Sequence, residues 1–292
     1  MLFGFIAHGL WGVFPLFFDQ LASAGALEIL AHRIVWTLLL CVVGVTIVRQ
    51  WDNVRLVISM RRVLGTLAFA SIAVTINWGI YVWAIVSDHV VDAALGYFIN
   101  PLVTVAVAVI ALRERLRMAQ FVALGIGVIA VAVLVVGYGQ VPWVALGLAF
   151  SFAAYSYMKN RVGPYAKPLV GLGMETTLLT PVAAAYIIWL QATGVGTLVN
   201  QGPLHLTLLL LTGVVTAVPL LFFAGAASRI PLSTLGLIQY VTPVCQFLLG
   251  VFVNHEVMPP ARWAGFALIW CALIVLTWDS LRAVHAVQVA RA

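Results

Sequence analysis

The sequence predicts an all-α polytopic membrane protein with ten transmembrane helices in two inverted five-helix repeats and both termini in the cytoplasm. Three observations lead to this class: the composition, the lengths of the apolar segments, and a similarity between the two halves of the chain. Of the 292 residues, 64% are hydrophobic and only 8% are charged, whereas soluble globular domains carry about 25% charged residues. So little polar material cannot cover a surface that faces water, and the sequence therefore excludes a soluble domain.

Apolar segments of membrane-spanning length cover most of the chain. A helix needs about 20 residues to cross roughly 30 Å of hydrocarbon. This length divides the chain into ten predicted spans, at 1–18, 26–48, 63–86, 93–112, 119–136, 143–158, 169–190, 204–227, 233–253 and 261–278. The first span has no basic region before it and no small-residue cleavage site, which favours a retained helix over a signal peptide. Cys41, Cys245 and Cys271 fall inside spans, so we interpret them as apolar core residues rather than a disulfide framework.

The basic residues orient the predicted spans. With a cytoplasmic N-terminus, Arg262 alone falls on the outer side, Arg33 lies within a span, and the other Lys and Arg residues fall on the cytoplasmic side. These are Arg49, Arg55, Arg61, Arg62, Arg113, Arg115, Arg117, Lys159, Arg161, Lys167, Arg229, Arg282 and Arg291. Such a bias is the positive-inside pattern, and it predicts that both termini are cytoplasmic. The net charge of +6 then reflects orientation in a lipid bilayer, and we expect no nucleic-acid partner.

The second half of the chain resembles the first. ALGYFINPLV in the first half is similar to TLGLIQYVTP in the second, and a glutamate follows the proline by 13 residues in each (Pro101 with Glu114, Pro243 with Glu256). The period is about 140 residues, or five spans, and this odd number places the two copies in opposite orientations. The predicted division is a first repeat, a second repeat and a short cytoplasmic tail, at 1–137, 143–280 and 281–292. Inverted-topology repeats are typical of secondary transporters, and a channel or a scaffold remains open at this point.

Six segments spread over the whole chain resemble one family of permeases. They are EILAHRIVW at 28–36, NWGIYVWAI at 77–85, LGYFINPLV at 95–103, ALGLAFSFAAY at 145–155, ETTLLTPVA at 175–183 and LSTLGLIQYVTP at 232–243. On these segments the chain resembles the EamA-type permeases of the drug/metabolite transporter superfamily. The resemblance implies ten helices in two repeats, a central substrate cavity, and export or exchange of small organic molecules across the cytoplasmic (inner) membrane of a prokaryote. Amphenicol-like and amino-acid-like solutes are the candidate substrates.

Two features depart from the family pattern. Such permeases usually have a short polar tail before the first span, which is absent here, so we expect a truncated start. The family's Gly-Glu pair after the fourth span is Arg113-Glu114 in this chain, which weakens the resemblance at that position.

Three ionisable residues lie in the first two turns of the second span. Glu28 and His32 are four residues apart and share one helix face, whereas Arg33 points roughly 140° away from Glu28. A charge at this depth is costly, about 2.5–3.5 kcal/mol for Arg at a helix centre. In the functional interpretation, Glu28 contacts a substrate amine or carries a proton, His32 tunes its proton affinity, and Arg33 binds an anionic group or locks the helix. In the alternative, the three form a structural polar network near the outer mouth.

Polar and aromatic residues recur at helical spacing in other spans. Together they predict a cavity lined by aromatic and amide groups, which would suit an amphipathic or aromatic solute. The candidate cavity residues besides Glu28, His32 and Arg33 are Trp11, Asn77, Tyr81, Tyr97, Asn100, Tyr155, Glu175, Gln239 and Tyr240. Glu28, His32 and Glu175 are also the candidate proton-coupling residues. The fifth and tenth spans have almost no polar residue at mid-depth, so we expect them to face lipid or form a homodimer interface.

The functional prediction is a secondary transporter that moves small organic metabolites or drugs by alternating access. An uncoupled facilitator or channel and a lipid scramblase remain as alternatives. An intramembrane enzyme is a remote one, because the sequence has no G-x-S-x-G, no H-E-x-x-H and no paired aspartates in facing spans. We therefore predict no catalytic residues, no metal and no cofactor.

Overall fold

The computed structural model describes residues 1–112, 117–139, 141–227 and 238–289, and the regular elements within these ranges are all helical. Helices are the elements that satisfy every backbone polar group internally, as hydrocarbon requires. A 3-10 turn at Ala22–Ala24 precedes α3. The α-helices are α1 (Leu2–Gly12), α2 (Phe14–Asp19), α3 (Gly25–Ile47), α4 (Trp51–Ser59), α5 (Arg61–Val86), α6 (Val90–Leu112), α7 (Met118–Tyr138), α8 (Trp143–Val162), α9 (Pro168–Ala192), α10 (Pro203–Ala227), α11 (Val241–Phe252) and α12 (Pro260–Val289).

Eight helical segments of the described residues are long and apolar enough to cross a membrane. They are Leu2–Asp19, Ala22–Ile47, Arg61–Val86, Val90–Val107, Met118–Gly137, Pro168–Ala192, Pro203–Phe223 and Pro260–Arg282. The class of polytopic helical membrane protein is thereby confirmed. At the sixth predicted span, α8 is a full helix made less apolar by Lys159 and Arg161 at its end. At the ninth, α11 is apolar but short, and the prediction for 233–237 lies outside the described residues, as do Arg113, Glu114 and Arg115. The exact count of ten spans stays a prediction.

Three boundaries differ from the predicted spans. The first span is broken at Val13, and Pro15 lies in the first turn of α2, where a missing N–H is tolerated. The loop after the second span contains α4, whose buried Val57 packs against the ends of α3 and α5. Finally, α12 continues to Val289, so the predicted tail over 281–292 is helical as far as the structure describes it.

The two halves of the chain pack mainly against each other. In the first half α1 contacts α10 and α11, α3 contacts α9 and α10, α5 and α6 contact α8, and α7 contacts α12. Many of these contacts form pairs related by exchange of the halves: α5–α8 corresponds to α10–α1, α6–α8 to α11–α1, and α3–α10 to α9–α5. Two inverted five-helix repeats would produce such pairing, although the division at 1–137 and 143–280 stays a prediction.

The helices predicted to be peripheral, α7 and α12, pack on each other at one side of the bundle. Their outward faces carry exposed apolar side chains such as Val128, Val136 and Ile274. These faces match lipid contact, and the homodimer interface through the same helices stays a prediction. We call the end at which α3, α6, α8, α10 and α12 begin the outer end, following the orientation predicted from the basic residues.

Candidate substrate-binding site

A network of buried amide and phenol groups joins the two halves of the bundle. The Gln246 side-chain amide, on α11, donates to the Tyr81 hydroxyl on α5 (3.0 Å) and to the Trp11 carbonyl on α1 (3.1 Å). Gln246 is 1% exposed and Tyr81 is 3% exposed. Three helices, two from the first half and one from the second, are therefore tied together at one side chain.

The contact between Gln246 and Trp11 has a local cause in the sequence. Pro15 has no N–H, so it cannot donate to the carbonyl of residue 11, four positions earlier, as an ordinary helical residue would. The Gln246 amide donates to this same carbonyl oxygen. A backbone N–H at the end of α1 also donates to this carbonyl, so Gln246 is a second donor at the break between α1 and α2.

Asn77 is the second centre of the network. Its side-chain amide donates to the Ser151 hydroxyl (3.1 Å) and to the Leu148 carbonyl (3.1 Å), both on α8. The Tyr97 hydroxyl donates to the Asn77 side-chain oxygen (3.4 Å). Buried amides are stable when their donors and acceptors are matched in this way, and the result fixes α5, α6 and α8 relative to one another.

Arg33 is enclosed by side chains of both halves. Its Nε donates to the Thr216 hydroxyl on α10 (2.8 Å), and its guanidinium carbon lies 4.2 Å from the Trp78 ring centroid and 5.5 Å from that of Phe18. Only 4% of Arg33 is exposed, and its Nη1 has no hydrogen-bond partner among the described residues. The structure therefore holds a cation in the interior whose Nη1 N–H groups are unused.

A row of aromatic rings connects the network to a second charged cluster. The ring centroids of Tyr81 and Tyr97 are 5.8 Å apart, those of Tyr97 and Phe152 6.2 Å, and those of Phe152 and Tyr155 6.0 Å. The Tyr155 hydroxyl then donates to Glu175 Oε2 (3.2 Å), and Lys159 Nζ donates to Glu175 Oε1 (2.9 Å). Glu175 is fully buried. Its ion pair with Lys159 lies at the end of the aromatic row that is opposite to the outer end.

Glu28 and His32 belong to a different group of contacts at the outer end. Glu28 Oε1 accepts from the backbone N–H of Thr197, in the loop between α9 and α10 (2.8 Å). His32 Nδ1 accepts from the Trp36 indole (3.1 Å), which leaves the proton on Nε2, 4.0 Å from Glu28 Oε1. The pairing of Glu28 with His32 on one helix face agrees with the predicted spacing, but their other partners are a loop and an indole rather than the central network.

Besides Glu28 and His32, three further predicted cavity residues lie apart from the central network. The Asn100 side-chain oxygen accepts from the Thr104 hydroxyl of its own helix (3.0 Å), and Gln239 is exposed in the turn before α11. Tyr240 hydrogen-bonds to Thr277. It also lines a pocket of about 430 Å³ between α6, α11 and α12, whose other walls are Phe98, Trp270, Leu273, Ile274, Thr277, Trp278 and Leu281.

The outer end carries a compact ionic cluster that ties α6 to the start of α12. Arg262 Nη2 lies 2.7 Å from Asp92 Oδ1, and Arg262 Nη1 lies 3.7 Å from Glu256 Oε2. Glu256 Oε1 accepts from the Val91 N–H in the first turn of α6 (3.0 Å). Burial raises the pKa of Glu256 to about 7, although the Val91 N–H and Arg262 oppose this rise.

Two residues of the network lie on predicted polar helix faces but are not among the candidate cavity residues. Gln246 is seven residues after Gln239, and Ser151 is four before Tyr155. Thr216 and Phe152 carried no comparable signal. Among the described residues, no three His, Cys, Asp or Glu side chains come together in a way that could hold a metal ion.

These features define a polytopic helical membrane protein with a polar centre shared by its two halves, and comparisons with known proteins identify its family. The model of the EamA-like transporter family matches residues 1–136. Protein RarD of Streptomyces exfoliatus is 50% identical, over 97% of this chain and 89% of that protein. Protein RarD of Escherichia coli (strain K12) is 37% identical, over 96% of this chain and 94% of that protein. A Pseudomonas aeruginosa relative named chloramphenicol-sensitive protein RarD is 27% identical, over 97% of this chain and 94% of that protein.

The chain therefore belongs to the EamA-like transporter family, among its RarD-type permeases. It is a membrane transporter of the drug/metabolite superfamily and not an enzyme. One solved crystal structure, 18% identical, superposes with a TM-score of 0.59 over 94% of this chain and 95% of that chain. At this identity the superposition shows a shared fold alone.

Proposed function

We propose that the chain is a secondary transporter that moves small organic metabolites or drugs across the cytoplasmic membrane of a prokaryote by alternating access of its two halves. The observation that carries this proposal is the buried network of Gln246, Tyr81 and Asn77, to which both halves contribute. Polar side chains at membrane depth are expensive and commonly mark the path of a substrate. A network built between two halves can open towards either side when one half moves against the other.

The aromatic row supports a solute with an apolar, ring-containing part. Tyr81, Tyr97, Phe152 and Tyr155 offer ring faces with hydroxyl groups beside them, the combination that binds amphipathic molecules. Because the name of one relative refers to chloramphenicol sensitivity, chloramphenicol is one test solute, and aromatic amino acids are the others.

We assign proton coupling to Glu175. It is fully buried, its carboxylate contacts both Tyr155 and Lys159, and it stands at the end of the aromatic row. A proton on Glu175 would weaken the ion pair with Lys159, which gives protonation a direct effect on the contact between α8 and α9. Glu28 instead accepts from the Thr197 backbone, so its expected role, together with His32, is to hold the outer end.

The test is solute-driven proton movement in liposomes that contain the purified protein and a pH-sensitive dye. Glu28→Gln and Glu175→Gln remove the same charge and make a matched pair. We expect a solute-dependent pH change in the wild type and in Glu28→Gln, and its loss in Glu175→Gln. Loss in Glu28→Gln alone would move the coupling role to Glu28. Solute flux with no pH change in the wild type would identify a facilitator.

A second candidate function is lipid scrambling, and the pocket beside Tyr240 favours it. That pocket is lined almost entirely by apolar groups and lies next to Ile274 and Trp278, which are exposed on the outside of α12. Flux of a fluorescent phospholipid in the same liposomes separates the two functions. Lipid movement without movement of any test solute would refute the transporter proposal.

A further inference from the structure

Arg33 has no carboxylate partner among the described residues. Every Asp and Glu of the chain except Glu114 lies in the described ranges, and none forms an ion pair with Arg33. Its contacts are a threonine hydroxyl and the faces of Trp78 and Phe18, all neutral. Because an arginine remains charged even when buried, the interior holds a positive charge that no carboxylate of the described ranges balances.

A purely structural role explains only part of this geometry. The Thr216 hydroxyl uses the Nε donor, and Trp78 covers the face of the guanidinium. Nη1, on the edge of the group, is buried and has no acceptor among the described residues. A buried cation with unsatisfied N–H groups destabilises the fold unless an anion pairs with it. The contacts that hold the Arg33 side chain do not include an anion.

The surroundings of Arg33 indicate where the rest of a bound anion would lie. Phe18, which Arg33 contacts, packs edge-on against Tyr81 with 6.3 Å between ring centroids, and Tyr81 begins the aromatic row. Tyr97 packs against Tyr81, with 5.8 Å between their ring centroids. Helices of both halves meet here, since Thr216 lies on α10 and Trp78 on α5.

We propose that Arg33 binds the carboxylate of the transported solute, so that the substrates are small aromatic or amphipathic organic acids or zwitterions. This inference rests on the proposed transport function and names its substrate class. One unpaired guanidinium matches one carboxylate in charge, whereas a dianionic phosphate would leave an excess negative charge in the same interior. The apolar part of the solute then lies along Tyr81 and Tyr97.

The test compares solutes that differ only in the charged group. Phenylacetate with phenylacetamide, and phenylalanine with phenylalaninamide, are measured for flux in liposomes and for equilibrium binding to the purified protein. Arg33→Gln removes the charge, and Arg33→Lys keeps it without the planar fork. Arg282→Gln is the matched control, because Arg282 also lies over an indole ring, 3.7 Å from the Trp278 centroid, but at the exposed end of α12.

We expect the wild type and Arg282→Gln to prefer each carboxylate over its amide by about tenfold or more, equivalent to about 1.4 kcal/mol. Arg33→Gln should bring the ratio close to one, and Arg33→Lys should keep a reduced preference. The unfolding temperature of each variant without solute separates loss of the fold from loss of selectivity.

Each other outcome contradicts a distinct claim. Equal handling of acids and amides by the wild type, or a preference that survives in well-folded Arg33→Gln, would refute the role of Arg33 while leaving transport intact. Binding of the acids without flux would refute transport and retain the carboxylate site. Neither binding nor flux of any member of the panel would refute both.

Discussion

The contact between α3 and α10 depends on the missing side chain of Gly213, and Gly213→Ala should disrupt it. A Cβ at residue 213 would lie 2.5 Å from the Trp36 carbonyl carbon and 2.6 Å from its oxygen. Carbon atoms pack at about 3.5–4.0 Å, so the two helices would have to separate by roughly 1 Å. The clash is with backbone, which cannot rotate away as a flexible side chain can. Small residues allow such close approach between membrane helices.

The magnitude follows from two opposing terms. Overpacking costs typically about 1–3 kcal/mol, and a backbone clash places Gly213→Ala near the upper value, whereas Ala gains about 1 kcal/mol over Gly in a helix. The net loss of about 2 kcal/mol should lower the unfolding temperature in detergent by roughly 4–8 °C. Gly125→Ala in α7 is the control, because a Cβ there meets nothing within 4 Å, and it should be neutral or stabilising. Equal unfolding temperatures for the two variants would refute the reasoning.

Two further predictions concern the network and the outer cluster. Gln246→Ala leaves the Tyr81 hydroxyl and the Trp11 carbonyl without this donor and should lower the unfolding free energy by about 1–3 kcal/mol. Gln239→Ala, at an exposed position, is the control and should change it by no more than about 0.5 kcal/mol. Equal losses in the two variants would contradict the role of Gln246 in the network. The pKa of Glu256 is about 7 in the folded protein and about 4.5 in the unfolded chain. Between these two pH values the folded state binds a proton that the unfolded state has lost. The free energy of unfolding should therefore fall by up to about 3 kcal/mol as the pH rises from 4.5 to 7. Thermal unfolding from pH 4 to 8 should show this slope in the wild type and lose it in Glu256→Gln.

The sequence was sufficient to predict a helical membrane protein, because few backbone structures can span hydrocarbon. A segment of about 20 apolar residues must form a helix in the bilayer, and the eight long apolar segments of the described residues coincide with predicted spans. The break at Val13 was less accessible, because a proline in a span can bend a helix or end one. The Trp11 carbonyl accepts from a backbone N–H at the end of α1 and also from the amide of Gln246. The second donor is 235 residues away and is invisible to local sequence patterns.

The site shows the same division between local and long-range information. Residues on one helix face, such as Asn77 with Tyr81, could be selected by spacing alone. Spacing alone could not decide between Gln239 and Gln246, because both fit one helical face. The start of α11 at Val241 determines that Gln246 lies in the bundle. The partner of Arg33 was equally inaccessible, since Thr216 lies 183 residues further along the chain.

That separation has a consequence for biosynthesis. At about 5–20 residues per second, the ribosome needs roughly 10–40 s to make the stretch between Arg33 and Thr216. During this interval the first half of the chain is in the bilayer before α10 has been synthesised. Arg33 can then contact only residues that have already been translated. Phe18 and Trp78, whose rings contact the guanidinium, are both translated by then. Their rings can therefore cover the guanidinium in the bilayer until α10 is inserted and Thr216 can accept its hydrogen bond.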